Sequence, residues 1–433
     1  MGWEVIFWNH TPFDLNQLGY KEIKLQGKPR AFTDLLKRAK ITSELDYWTH
    51  KFTDPVYKHY KFPSSKKNLK GRVKNIIVNQ FISWTNGEAG LERLRNKMRE
   101  SERNGAFYKH CKTILENEKP ALLFCTNQRP VNAIAPITAA QDMGIPTASF
   151  IFSWDNIPKA TMVVQADYYL VWSEYMKKEL QKYYPFIAES QIQITGTPQF
   201  EPHFEESLKI SKQEFYNNYG LDNEKIYLCY SGDDITTSPH DELYLEHVAE
   251  AVSELNKHGE NIGVIFRRNP ADFSKRYDPI INKYKKLITP LDPLWERQGN
   301  EWNQLLPTKD DLKLQSQIIQ HTFMVINLGS SMVFDYQIYQ KPCAYLNYNP
   351  SGVKIKKNVR EIYNYVHFRS MLSEKPVLWI NSKKEIKEKI QEVINGETAQ
   401  LLKDANTWFK RINCHPSQNA SKRIWTFLDK LSR

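Results

Sequence analysis

Short apolar runs and longer amphipathic stretches alternate along most of this chain. The runs predict strands at Glu4–Asn9, Ala121–Thr126, Thr147–Phe152, Tyr168–Trp172 and Gln191–Thr195. Helical spacing lies between them. It runs over Pro130–Met143, closing at Gly144, and from a capping Ser173 through Tyr183. The stretch 16–118 is mostly helical in pattern and polar. The alternation then restarts. A connecting helix over Glu205–Tyr219 leads to strands at Ile226–Tyr230, Asn261–Phe266, Phe323–Leu328, Pro342–Leu346 and Val377–Ile380. Helices are predicted at Asp241–Lys257 and Asp311–Gln320, after a Ser382/Glu385 capping box, and over Ser417–Leu431.

Strands separated by helices imply parallel sheets covered on both faces. The expected fold is α/β: two Rossmann-like doubly wound domains in tandem. Residues 1–205 form the first, with a helical, basic insertion at about 16–118, and 206–405 the second. A helical segment, 406–433, closes the chain. Ligands of such sheets bind at the carboxyl ends of the strands. His10, Trp154–Asn156, Gly196, Ser231–Asp234, Arg267–Asn269 and Gly329–Ser331 all follow predicted strands, so they are expected to face one interdomain cleft.

The most informative of these loops is Gly329-Ser330-Ser331, between a strand and a helix. Glycine lets backbone approach a phosphate, and free N–H groups with a helix dipole favour its charge. Asp335, six positions after the glycine, is placed to meet a ribose hydroxyl. That order suits a nucleoside diphosphate. A turn followed by a helix cap is the plainer reading of the same residues.

At 433 residues, 41% hydrophobic and 25% charged, the chain has ample material for two cores. Its net charge of +11 suits nucleic acid, an anionic membrane or a phosphate-bearing substrate. The charge is uneven. Lys58–Lys74 holds seven Lys or Arg and no acid, with Tyr57, Tyr60 and Phe62 interleaved, which suits an anionic membrane surface or a solvated loop. Nucleic acid is not expected as a partner, because no RNP, zinc or helix-turn-helix pattern accompanies the charge. The five cysteines lack metal-ligand spacing and read as reduced core residues of a cytoplasmic protein. Neither a secretory leader nor an 18-residue apolar run is evident, and Ile6 breaks the myristoylation pattern after Gly2.

Three segments carry a family resemblance. Ile194–Phe204, ITGTPQFEPHF, resembles the GxPxFD end of the N-terminal domain in bacterial surface-polysaccharide transferases of the GT-B type. It is similar also to CDP-glycerol transferases and UDP-GlcNAc 2-epimerases. Ser153–Asn156 with Ala166–Ser173 resembles the SWDN…DxxLVWS pattern of capsule and O-antigen proteins. The Gly329-to-Asp335 spacing resembles that by which GT-B enzymes hold a donor diphosphate and ribose. The departures are an Asn9-His10-Thr11-Pro12 turn in place of a glycine-rich loop, and aspartate at 335 where glutamate is commoner. The epimerase histidine–glutamate signature is absent, which argues against epimerase.

The resemblance implies transfer of a sugar from a nucleotide-sugar donor to a glycan or lipid-linked acceptor in bacterial surface polysaccharide synthesis. The enzyme would work in the cytoplasm or at the inner face of the cytoplasmic membrane. Ser330 and Ser331, with Gly329, would take the diphosphate. Arg268 or Arg267 would supply the countercharge, one of the pair pointing inward because adjacent strand side chains face opposite ways. Ser231 and Gly232 would offer a further backbone contact to phosphate. Asp233 and Asp234 would meet sugar hydroxyls or cap the next helix. Trp295 and Trp302 would bear the base or pack their loop. His10 is the first candidate for general base, with Asp155 next and Asp14 third. No acidic pair sits where a metal would, so catalysis is expected to need neither metal nor cofactor. Two alternatives remain. One is a CDP-polyol phosphotransferase, for which His240, His247 and His321 form no convincing set. The other is a non-catalytic nucleic-acid binder.

Overall fold

The computed structural model describes residues 2–61, 69–299, 304–355, 358–373 and 375–432. The chain forms two compact units. The first takes Met1–His10, Asp14–Thr197 and Arg411–Arg433, the second Thr11–Phe13 and Pro198–Lys410.

In the first unit, β1 (Phe7–Asn9) pairs in parallel with β2 (Glu22–Lys24). Sequence places β1 in the main sheet; instead it forms a two-stranded ribbon, where the Asn9 side-chain amide donates to Glu22 at 2.6 Å. Four helices follow: α1 (Ala31–Lys51), α2 (Leu69–Ser83), α3 (Gly87–Arg103) and α4 (Ala106–Glu118). They account for the helical insertion. Leu35, Leu36 and Ala39 of α1 pack with Val78 of α2 and Leu94 and Met98 of α3.

The main sheet of this unit holds β3 (Leu123–Cys125), β4 (Thr147–Phe150), β5 (Tyr168–Val171) and β6 (Ile192–Ile194), all parallel and in that spatial order. Between these strands lie α5 (Ile134–Asp142) and α6 (Glu174–Tyr183). Ser173 caps α6 as expected, accepting from the Met176 N–H at 3.2 Å. The strand order advances in one direction, without the reversal of a doubly wound sheet.

The second unit opens with α7 (Lys212–Tyr219), capped by Ser211. Then come β7 (Ile226–Ser231), α8 (Asp241–Lys257), β8 (Ile262–Arg267), α9 (Asp278–Lys283) and β9 (Ile288–Pro290). A small hairpin, β10 (Glu296–Arg297) and β11 (Leu305–Leu306), precedes α10 (Lys309–His321) and β12 (Val325–Asn327). The unit continues through α11 (Met332–Ile338), β13 (Cys343–Leu346), α12 (Val359–Ile362), β14 (Leu378–Ile380), α13 (Glu385–Ile394) and all but the last two residues of α14 (Ala399–Ile412). β8 is buried along its whole length, as a central parallel strand covered on both faces must be. Before α13 the capping differs from expectation: Glu385 accepts from the Asn381 N–H at 2.9 Å and from the Ser382 hydroxyl.

The spatial order is β14-β13-β12-β7-β8-β9. The chain winds outward from β7 through β8 and β9. It then returns to the far side of β7 and winds outward again through β12, β13 and β14. This is the doubly wound order, with its reversal between β7 and β12.

The last helix, α15 (Ala420–Leu431), belongs to the first unit rather than to a segment of its own. Arg423 donates to the Thr195 carbonyl at 2.6 Å, and Asn413 accepts from the Thr197 N–H at 3.0 Å. The division between units accordingly falls at 197/198 instead of 205/206. All five cysteines are unpaired. Among the described residues no helix is long and apolar enough to cross a membrane.

Candidate functional site

Where strand order reverses, the two loops diverge to opposite faces and leave a crevice at the carboxyl ends. A cavity of about 180 Å³ occupies that position in the second unit. Ser231 and Gly232 from the end of β7, Arg267–Asn269 from the end of β8, and Asn327, Leu328 and Ser330 from the end of β12 line it together with Trp295 and Asp311. Three of the strand-end loops singled out in the sequence are thus brought together.

Arg267 is its most constrained group. It is 6% exposed, and its Nη2 donates to both oxygens of Asp311 at 2.8 and 2.9 Å. Asp311 also accepts from the Leu294 N–H at 2.8 Å and the Trp295 indole N–H at 2.7 Å. The Nη1 of Arg267 is buried and has no partner among the described residues. An unmet donor on a buried cation costs heavily unless something else accepts it. Arg268 is held differently. It donates to the Ser274 carbonyl at 2.6 Å and approaches Asp278 and Asp292 at 3.3 and 3.4 Å. Both arginines line the cavity; Arg267 is the buried member of the pair, while Arg268 is half-buried and committed to Ser274, Asp278 and Asp292.

The Gly329 turn differs in detail from expectation. Gly329 has φ +68°, and a Cβ there would lie 3.0 Å from Phe368 and 3.3 Å from Tyr363. The Ser330 N–H is not free; it donates to the Asn327 side chain at 2.9 Å, while Ser330 Oγ accepts from the Met332 N–H at 3.3 Å. Ser330 lines the cavity and Ser331 does not. Ser331 occupies the N-cap position of α11 without a side-chain capping bond.

Two expected contacts are corrected. Asp335, assigned to ribose from its spacing, is 2% exposed, and its Oδ1 lies 2.8 Å from Nε2 of buried His203. The turn over Pro198–Phe204 lays His203 against α11, so this carboxylate is engaged by a hydrogen-bonding partner inside the unit. The Gly232 N–H, assigned to phosphate, donates to the Arg267 carbonyl at 2.9 Å and completes the ladder between β7 and β8. Glycine is needed here for a different reason. An added Cβ would meet the Tyr277 hydroxyl at 3.0 Å and Phe266 at 3.1 Å.

The loop after β7 is held by Arg276, which the sequence reading missed. Its guanidinium donates to the carbonyls of Ser238 and Asp233, the latter at 2.6 Å, and pairs with Asp272 at 2.7 Å. Asp234 accepts from the backbone and hydroxyls of Thr236 and Thr237, so its lone pairs are committed to its own turn. Asp233 lines the cavity. Burial, reinforced by Asp241 and Asp234, pushes its carboxyl well above the usual range. Asp311 was also missed, because an acid at a helix start needs no further explanation. Its signal was a strand-end arginine inside an otherwise buried run, which requires an acidic partner.

Trp295 lines the cavity with its N–H tied to Asp311, and Trp302 lies outside the described residues. A second cavity of about 490 Å³ opens past Leu328, which lines both. Its walls include Ser238, His240, Tyr244, Val353 and Ile362.

The proposed bases lie in the first unit. His10 Nε2 is 3.2 Å from the Gly27 carbonyl. A carbonyl only accepts, so Nε2 is the donor in this contact and Nδ1 is the ring nitrogen left to exchange a proton. Asp155 accepts from Ser153 at 2.7 Å and from Asn156 at 2.9 Å, and it pairs with Lys159. Asp14 binds the Asn16 N–H and the Gln17 side chain, each at 3.1 Å.

No protein-family model matches the chain, and no curated protein sequence does. Solved structures similar to it include the UDP-GlcNAc 2-epimerase from Neisseria meningitidis bound to UDP-GlcNAc. It shows 13% identity over 78% of this chain and 82% of its own, with a TM-score of 0.46. The wall teichoic acid polymerase TagF shows 12% identity over 72% of each chain, TM-score 0.45. A glycosyltransferase from Rickettsia africae shows 11% identity over 78% and 88%, TM-score 0.45. Likeness at this level assigns neither a family nor an activity to the chain.

Proposed function

We propose that the chain is a GT-B-type glycosyltransferase. It would move a sugar from a nucleotide-sugar donor to a saccharide or lipid-linked acceptor in bacterial surface polysaccharide synthesis. The observation that carries this reading is the buried Arg267, whose Nη1 has no partner among the described residues and which lines the cavity at the reversal of a doubly wound sheet. A cavity of about 180 Å³ suits a phosphate group rather than a whole nucleotide, and the neighbouring 490 Å³ lies within the ordinary range of roughly 300–1,000 Å³ for organic ligands.

In this reading Arg267 and the Ser330 hydroxyl hold the diphosphate and stabilise its charge as the glycosidic bond to the sugar breaks. His10 takes the acceptor proton on Nδ1. Neither step calls on a metal, so turnover in EDTA should match turnover in magnesium.

Thermal unfolding against UDP, GDP, CDP, dTDP, CMP and ADP tests the donor assignment. One nucleoside diphosphate at about 100 times its Kd should add roughly 2.7 kcal/mol. Ser330→Ala should weaken that effect. A panel without any shift would overturn the reading.

A further inference from the structure

We infer that α2 presents a docking face for an anionic lipid bilayer. One side of this helix is internal: Val78 is buried, and Ile77, Phe81 and Ile82 pack with it against α1 and α3. The other side is apolar yet faces solvent. Leu69 is 77% exposed, Val73 50% and Ile76 65%, and Trp84 just past the helix end is 62% exposed. At 100° per residue these four positions fall within an arc of about 80°. They form a stripe, not a scatter. Trp84 continues it into an aromatic patch, with its ring 6.1 Å from Phe81, which in turn lies 5.7 Å from the exposed Phe32.

Charge identifies the occupant. From Pro55 to Gly87 the sequence contains no acidic residue and seven Lys or Arg. Among these, Lys58, Arg72 and Lys74 are exposed. An apolar stripe flanked on the helix by Arg72, in a stretch of sequence that is basic throughout, and ending in tryptophan matches a helix lying in a lipid interface, with its ring at headgroup level. A protein partner would have to bring a strongly acidic rim to the same apolar face. The structure also moves the contact away from the aromatics read in the sequence. Tyr57 is buried, 2.8 Å from the Tyr183 hydroxyl, while Phe62 lies outside the described residues. The inference rests on α2 alone and not on the nucleotide reading.

The test is co-sedimentation of the full chain with vesicles of phosphatidylcholine, with and without phosphatidylglycerol. Binding is expected to the anionic vesicles only, and to weaken as salt rises. Val73→Glu/Ile76→Glu should lower the partition coefficient by roughly 100-fold or more, because charge replaces apolar contact. Arg72→Gln/Lys74→Gln should lower it by about 20–30-fold. These positions are exposed, so thermal midpoints and nucleotide binding should match the parent. Three outcomes would overturn the inference. They are no binding to anionic vesicles at low salt, equal binding to both vesicle types, and a parent dimer that Val73→Glu/Ile76→Glu converts to monomer without any vesicle binding.

Discussion

Removing Arg267 separates the two roles given to it, as a structural cation and as an anion ligand. Arg267→Met leaves Asp311 buried at 2% exposure, still holding the Leu294 and Trp295 donors but without its countercharge. Breaking a buried pair in this way costs about 3–5 kcal/mol. For a unit of this size each kcal/mol lowers the midpoint by roughly 2–4 °C, so calorimetry should show a fall of about 6–20 °C. Asp311→Asn strands the guanidinium instead and should cost a similar amount. The double variant is neutral and keeps one carbonyl acceptor. Its loss should be smaller than the sum of the single losses, by roughly 2–3 kcal/mol. That folded double variant then tests ligand binding. Losing one charge-assisted hydrogen bond, about 1.5–3 kcal/mol, should weaken nucleoside diphosphate binding by roughly 10–150-fold in titration calorimetry. Single-variant costs that add to within about 0.5 kcal/mol would refute the coupling. Unchanged affinity in the double variant would refute the anion role.

Glu179 is buried, with one carboxyl oxygen lacking a partner among the described residues, and burial pushes its pKa up to about 8 from 4.5, against the pull of Lys182 and Tyr175. The folded state then keeps a proton that the unfolded chain releases, so stability falls as pH rises from about 4.5 to 8 and is level above that. Glu179→Gln should therefore change little at low pH and stabilise by roughly 4 kcal/mol near pH 8; parallel pH profiles of urea unfolding for parent and variant would rule this out. Gly329→Ala, with φ +68° and Phe368 3.0 Å from the new Cβ, should cost about 1–3 kcal/mol by the same assay, and a neutral result would show that the turn relaxes freely. His10→Asn should lower kcat by about 10²–10⁴-fold at an unchanged midpoint, a comparison that fails if sugar transfer continues at the parent rate.

Much of the second unit could be read from its sequence because local and long-range signals agree there. The helix expected over Asp241–Lys257 is α8 to the residue, with acids in its first turn, a lysine in its last and a helical apolar face between them. Strand existence was likewise legible at β7, β8, β12 and β13, where continuous apolar runs match strands buried on both faces. Strand order was not, because pairing is decided by packing across the chain. β2, with the sequence Glu22-Ile23-Lys24, carries no strand signal and forms only because β1 lies beside it. Asp335 shows the limit for the site. Spacing along a helix gives a face, but whether that face meets a ligand or His203 depends on a turn more than 130 residues earlier.

The sequence named Arg267 and Arg268 together as candidates for the countercharge, and what distinguishes Arg267 is the bookkeeping of lone pairs. A carboxylate offers about four acceptor sites. On Asp311, Oδ1 takes Arg267 and Leu294 while Oδ2 takes Arg267 and Trp295. All four are filled, so Nη1 of Arg267 has nothing to gain by turning towards its own partner. An arginine serving only to balance a carboxylate usually presents both arms of its fork to it. Here two uncharged donors hold the place that the second arm would take, and the arm they displace stays buried without a partner among the described residues, on a side chain that lines the cavity at the reversal of the sheet. The Asp311 pair thus orients the guanidinium without consuming it. That is the arrangement expected of a cation kept in position for an anion supplied from outside the chain.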